Sequence, residues 1–299
     1  MGITTFARQL HMRDARGADV AIVGVPFDSG TSFRSGARFG PRKIREMSLL
    51  LWGYNNPLGV APFKALRVID YGDVDVVPVD IEDTFAAIER EVGAILDAGA
   101  MVVTLGGDHS IALPLLRAHA GRHGPLGLVH FDSHPDTWNS EFGGKPYSHG
   151  TPFRRAIEEN LIDTSAYIQI GIRGPTSGAG DLQDARDLGA RVITIDEATS
   201  MGATAIVKEV HRAAAGKPVY VSFDIDAVDP AFAPGTGTPE VGGFTSYDAL
   251  QLVRGLQGLN LVGFDLVEVS PPYDHGDITA ILASNIAFEF LSLIALKKG

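Results

Sequence analysis

Short runs of apolar, often β-branched residues recur along the chain. Longer stretches with apolar positions at three- and four-residue spacing lie between most of them. The runs Asp19–Val25, Met101–Leu105, Leu126–Phe131, Tyr167–Ile172, Arg191–Ile195, Val219–Phe223 and Leu261–Val267 read as strands. They are apolar at nearly every position, as expected of strands covered on both faces. The helical spacing is clearest over Asp80–Ala98, where Phe85, Ile88, Val92, Ile95 and Leu96 share one face. Gly40–Trp52, with Pro41 in its first turn, Ile111–Ala120, Pro152–Asn160, Ala203–Ala215 and Tyr247–Gly255 also read as helices. This alternation predicts an α/β fold of three layers, αβα, around a doubly wound, mainly parallel sheet. No linker or repeat divides the chain, so residues 1–299 read as one domain.

Composition narrows the function. The 25 Lys and Arg stand against 36 Asp and Glu, a net charge of −11, and no basic stripe is visible. Nucleic acid and anionic membranes are therefore poor partners. There is no cysteine, which excludes disulfides, thiolate metal sites and a cysteine nucleophile. No targeting segment opens the chain, and no apolar run reaches the ~18 residues of a spanning helix. The most apolar late stretch, Ile278–Leu296, is broken by polar residues and reads as a buried helix. A cytoplasmic location is expected.

Candidate chemistry gathers where strands run out. After Leu126–Phe131 come Asp132, His134 and Asp136, which share a face if the chain stays extended. Asp224 and Asp226 end another strand in the same way, and two carboxylates so close call for a cation between them. Asp229 has the other parity and precedes Pro230, so it reads as a turn former. Gly106 and Gly107 allow a sharp turn before Asp108, His109 and Ser110, where Asp108 or Ser110 would cap the next helix. An EF-hand fits badly, since Asp229 and Gly235 stand at its Gly and Glu positions. An aspartate-nucleophile phosphatase would explain Asp224 and Asp226 but not the Asp132–Asp136 group. Four carboxylates and two imidazoles suit two divalent cations, with Mn²⁺ favoured and Fe, Co, Ni or Zn open. Two such ions acidify a water and promote hydrolysis.

At this point the chain resembles the ureohydrolase, or arginase, family, and within it the agmatinases. The resemblance rests on Gly30–Pro41, GGDHS at Gly106–Ser110, HFDSHPD at His130–Asp136, Ser148–Gly150, SFDIDAVDPAFAPGTGTPE at Ser222–Glu240, and Asp265–Pro271. It implies an arginase-like fold assembled as a homo-oligomer, a trimer or hexamer. It implies two Mn²⁺ per chain. His109, Asp132, Asp136 and Asp224 match the ligands of one ion, and Asp132, His134, Asp224 and Asp226 those of the other. His130 shares their parity but matches a non-ligand. His149 matches a proton-shuttling histidine. Glu268 matches the carboxylate that holds a guanidinium, and Thr238 a neighbouring polar contact. Asp136 would share in the proton transfer.

Two departures bear on substrate. Trp138 stands where arginases carry an asparagine that binds the substrate α-carboxylate, which argues against arginine. Ser133 and Pro135 replace the agmatinases' Ala and Thr and are expected to point away from the metals. Trp138, with Asp274 and Asp277 in the loop beyond Glu268, would suit an ammonium tail. Agmatine, cleaved to putrescine and urea, is therefore the favoured substrate. Guanidinobutyrate or another guanidino compound is the alternative, should Arg34 or Arg38 fold into the pocket. An N-terminal helix dipole at Thr151-Pro152 is expected to hold His149 neutral.

Overall fold

The computed structural model describes residues 2–298. One nine-stranded sheet forms the middle layer. Its strands are β1 (Leu10–His11), β2 (Val20–Gly24), β3 (Val68–Asp73), β4 (Met101–Leu105), β5 (Leu126–Phe131), β6 (Ile162–Ile172), β7 (Arg191–Thr194), β8 (Val219–Asp224) and β9 (Leu261–Val267). They lie in the order β1-β3-β2-β4-β9-β8-β5-β6-β7, and every pair of neighbours is parallel. Parallel neighbours need crossovers, and helices supply most of them. Helices Ile81–Asp97, Ala112–His123, Pro152–Glu158 and Asp181–Asp187 pack into one core on one face. Helices Gly40–Met47, Ala203–Ala213, Ser246–Arg254 and Ile278–Lys298 pack into the other. The three-layer expectation holds, with the sheet wholly rather than mainly parallel.

Some boundaries moved for local reasons. Asp80 caps the helix that follows it, accepting the Asp83 N–H at 2.9 Å. Tertiary contacts decide β3, which the apolar pattern did not predict. Its buried Asp70 receives the Arg45 Nε at 2.9 Å and the Phe6 N–H at 2.7 Å. A strand carrying an internal ion pair loses the continuous apolar signature of its neighbours. Helix Ile278–Lys298 is long and apolar enough to span a membrane by length and composition, with mean hydropathy 1.8. It is instead a core helix, 83% of that stretch being buried inside the fold. Its Glu289 is tied to Asn55 and Arg254.

Four central strands set up the chemistry. β4, β9, β8 and β5 are consecutive in the sheet, and their C-terminal ends carry His109, Glu268, Asp224 and Asp132. Open parallel sheets bind ligands at this edge. Gly107 holds the edge together. The Asp108 N–H donates to the Phe27 carbonyl at 2.8 Å, and the Glu268 N–H to the Gly107 carbonyl at 2.8 Å. A Cβ on Gly107 would stand 1.7 Å from the Phe27 oxygen. Gly107→Ala is therefore expected to lower stability by about 3 kcal/mol or more, because neither backbone can move aside. Gly93→Ala, on helix Ile81–Asp97 with nothing within 4 Å, should be neutral or stabilise by up to ~1 kcal/mol. Thermal melts of the two variants check this, and equal melting temperatures would contradict it.

Candidate metal centre

Six side chains converge from three strand ends. His109 lies in a short 3-10 turn, His109–Ile111, capped by Asp108, which accepts the Ser110 N–H. Its Nδ1 stands 3.1 Å from Asp132 Oδ2, 2.9 Å from Asp136 Oδ2 and 3.3 Å from Asp224 Oδ2. Beside this group, His134 Nδ1 stands 3.1 Å from Asp226 Oδ2 and 3.5 Å from Asp132 Oδ1. Asp132 faces both imidazoles. Thr238 Oγ1 reaches Asp226 Oδ2 at 3.4 Å.

The residues meet by a different geometry from the extended alternation that the spacing suggests. The chain turns after Phe131, and Asp136 takes a positive φ of 46°. Asp224 and Asp226 are joined through a 3-10 turn, Ile225–Ala227, in which the Asp226 N–H donates to Asp224 Oδ1. Ser133 also differs from expectation. Its side chain engages the centre, the hydroxyl donating to Asp226 Oδ1 at 2.8 Å. His130 is buried with its Nε2 2.7 Å from Asp132 Oδ2, where it orients that carboxylate.

The hydrogen bonds around His109 test whether the centre fits a metal. The Ser222 hydroxyl donates to Asp265 Oδ1 at 2.7 Å, so its oxygen is free to accept from His109 Nε2–H at 2.8 Å. That places the ring proton on Nε2 and leaves Nδ1 as a buried lone pair with no hydrogen-bond partner. A lone pair facing three carboxylate oxygens is repulsive unless protons or a cation lie among them. Imidazole nitrogen and carboxylate oxygen are apt ligands for a divalent transition metal. Without one, the centre draws in protons. Burial and the Asp132 charge push Asp136 up to about 7. Burial and the charges of Asp226 and Asp132 drive Asp224 well above the carboxylate range. Burial opposes protonation of His109 and His134, but the surrounding carboxylates raise both well above the usual imidazole value.

Beside the centre lies a second constellation. Glu268 is buried with a positive φ of 62°, strain of a kind that gathers at functional sites. Its Oε1 accepts the His109 N–H at 2.9 Å and lies 3.0 Å from His149 Nδ1, while Oε2 is buried without a partner. A Cβ on Gly237 would stand 3.6 Å from that free oxygen. Burial pulls His149 towards neutrality, but Glu268, with Asp136 and Asp108 behind it, outweighs burial and pushes it up to about 9. The carboxylate at bonding distance thus opposes the helix terminus expected to hold His149 neutral, while the Ser32 N–H that donates to Nε2 favours the neutral ring. Burial and Glu268 together raise Asp108 to about 7. The sequence did not single out Ser32, whose amide and hydroxyl both meet His149 Nε2, at 3.0 and 2.8 Å.

The residues expected around a substrate tail are arranged differently. Trp138 Nε1 donates to Asp181 Oδ2 at 3.1 Å, and its ring packs against Gly150. Asp274 accepts from Thr279 and the Ala280 N–H, fastening the start of the last helix. Asp277 pairs with Lys43 at 3.4 Å. Both acids are thus engaged away from the centre. Arg38 is paired with Asp28. Arg34 has no carboxylate partner among the described residues, and its guanidinium lies over Tyr273 and Phe33 at 4.9 and 5.2 Å. Its carbonyl abuts Gly237, the glycine beside Glu268 Oε2.

Comparison with known proteins agrees with this geometry. A family model described as the arginase family matches residues 18–292. The chain is 49% identical over 294 residues to a guanidinopropionase of Pseudomonas aeruginosa, covering 98% of this chain and 92% of that protein. It is 46% identical to a mitochondrial agmatinase of Gallus gallus, covering 98% and 86%. The solved structure of proclavaminate amidino hydrolase from Streptomyces clavuligerus superposes with a TM-score of 0.95 at 45% identity, over 99% of this chain and 98% of that one.

The protons that stand in for a cation make a prediction. Asp108, Asp136, His109, His134 and His149 all have folded pKa values above their unfolded ones. His119, His123 and His130, lowered chiefly by burial, oppose them only below about pH 7, so above it the native metal-free chain binds more protons than the unfolded chain and loses stability as pH rises through 7–9. The melting temperature of chelator-treated protein should fall steadily across that range, and saturating Mn²⁺ should flatten the fall. A metal-free chain that melts higher at pH 8.5 than at pH 7 would contradict this.

Proposed function

The chain belongs to the arginase family and is an amidinohydrolase; from that premise we propose that its substrate is an ω-guanidino acid, split into urea and an ω-amino acid. We assign two Mn²⁺ per chain. His109, Asp132, Asp136 and Asp224 would hold one, and Asp132, His134, Asp224 and Asp226 the other. The orphaned Nδ1 of His109 among three carboxylates supports the first ion, and the meeting of His134 with Asp132 and Asp226 beside it supports the second. When bound, the pair supplies an acidified water and positive charge beside the guanidinium carbon.

The chain's own groups do the rest. Glu268 Oε2, free and aimed beside Gly237, accepts a guanidinium N–H, while Oε1 is fixed by the His109 amide. A carboxylate so fixed positions the guanidinium, and positioning supplies much of the rate advantage. Thr238 lends a polar contact at the Asp226 side. Over the whole reaction water loses two protons and the leaving nitrogen gains two. Asp136 and His149 carry them, with His149 protonating the departing amine as general acid. Residues 1–299 act as one domain, and a cytoplasmic homo-oligomer, trimer or hexamer, is proposed on the family resemblance alone.

The substrate tail rests on charge at the rim. Asp274 and Asp277, which would favour agmatine, are engaged by the last helix and by Lys43. Trp138 is engaged by Asp181. Arg34 is a cation without a carboxylate partner, whose carbonyl touches the glycine beside Glu268. A guanidinium pairs with carboxylate in a fork and repels an ammonium. Relatedness to an agmatinase keeps agmatine as the second reading. Urea release by the Mn²⁺-loaded protein from guanidinopropionate, guanidinobutyrate, agmatine and arginine tests the choice. A guanidino acid should exceed agmatine in kcat/KM by at least ~10-fold, and arginine by more. Agmatine as the fastest substrate would overturn the tail assignment and leave the amidinohydrolase chemistry standing.

A further inference from the structure

We infer that the hydroxyl of Ser32 is the link through which His149 exchanges protons with solvent. This rests on the reading of His149 as a proton carrier. His149 is buried, and its two ring nitrogens lead in opposite directions. Nδ1 leads inward to Glu268 Oε1 at 3.0 Å. Nε2 leads outward to Ser32, an exposed residue of the loop between β2 and the helix at Gly40–Met47.

Ser32 meets Nε2 with two groups of different capacity. Its amide N–H, at 3.0 Å, can only donate. That contact therefore requires a lone pair on Nε2 and places the ring proton on Nδ1, facing Glu268. The hydroxyl, at 2.8 Å, can donate or accept. When Nε2 is protonated the amide has nothing to bond there, and the hydroxyl oxygen alone accepts. Ser32 Oγ is thus a partner for the ring in both protonation states. A proton leaves when Nε2–H passes to Oγ as the original Oγ–H passes to water or a buffer base. It returns by the reverse exchange, and the hydroxyl is unchanged after either.

The loop is fastened, so the contact is built into the fold. The Gly30 N–H donates to buried Asp108 Oδ2 at 2.7 Å, and the His149 N–H to the Gly30 carbonyl at 3.0 Å. Further along, the Gly36 N–H donates to buried Asp28 Oδ2 at 2.6 Å. Two carboxylates inside the molecule therefore hold both flanks of a segment whose middle presents Ser32 to His149.

The test is steady-state urea release by Mn²⁺-loaded wild type, Ser32→Ala, Ser32→Thr and His149→Ala, in dilute buffer and with rising imidazole at fixed pH and ionic strength. Ser32→Ala should lower kcat on the order of 10-fold, with KM and bound Mn²⁺ unchanged. Imidazole should restore its rate, and Ser32→Thr, which keeps the hydroxyl, should stay near wild type. A Ser32→Ala enzyme at wild-type kcat without buffer dependence overturns the inference. So does a loss that neither imidazole nor threonine restores, which would make Ser32 a part of the loop's shape only. His149→Ala at the wild-type rate would instead overturn the underlying role of His149. A slow His149→Ala beside an unimpaired Ser32→Ala would remove the Ser32 link alone.

Discussion

Four buried carboxylates and two imidazoles, one buried and one half-buried, lie in an unbroken chain of contacts of 2.9–3.5 Å, where water screens them poorly. Such a cluster stands only if positive charge lies inside it, as protons or as metal ions. The parallel sheet brings β4, β5 and β8 side by side, so that their ends deliver His109, Asp132 and Asp224 to one place. The surrounding hydrogen bonds then decide which atoms face inward. Ser222 and Asp265 keep the proton of His109 on the far nitrogen, and His130 and Ser133 hold Asp132 and Asp226. These supports orient the ligands before any ion arrives, which is the usual work of groups behind a metal's own ligands.

The same constraint organises the neighbouring pocket. Glu268 spends one oxygen on the His109 amide and on His149, and the other is free. A single carboxylate thereby couples the metal centre, the proton carrier and the place for a guanidinium. Its left-handed backbone and the close approach at Gly107 are the local strain that this coupling requires, and the packed sheet edge holds both.

Much of this was legible in the chain. Fully buried parallel strands are nearly continuous apolar runs, so β4, β5, β8 and β9 stood out with polar residues at their ends. The six clustered residues could be picked because strand ends in an α/β sheet share an edge. What escaped notice depends on contacts between distant segments. β3 hides behind the Asp70–Arg45 pair, whose partners are 25 positions apart. Ser32 and His149 are 117 positions apart, and Asp274 became a helix cap only once the last helix was in place. Alternation along an extended strand predicted that these residues cluster, but by the wrong route, since Asp136 and Asp226 reach the centre through turns.

The cluster is proposed to hold two ions. Chelator-stripped protein titrated with Mn²⁺, followed by calorimetry and elemental analysis, tests it directly. Two equivalents should bind per chain. Asp132→Ala, which removes the carboxylate facing both imidazoles, should weaken both sites together. Saturation at one equivalent with full hydrolytic activity, or an Asp132→Ala chain that still binds two ions as tightly, would contradict it.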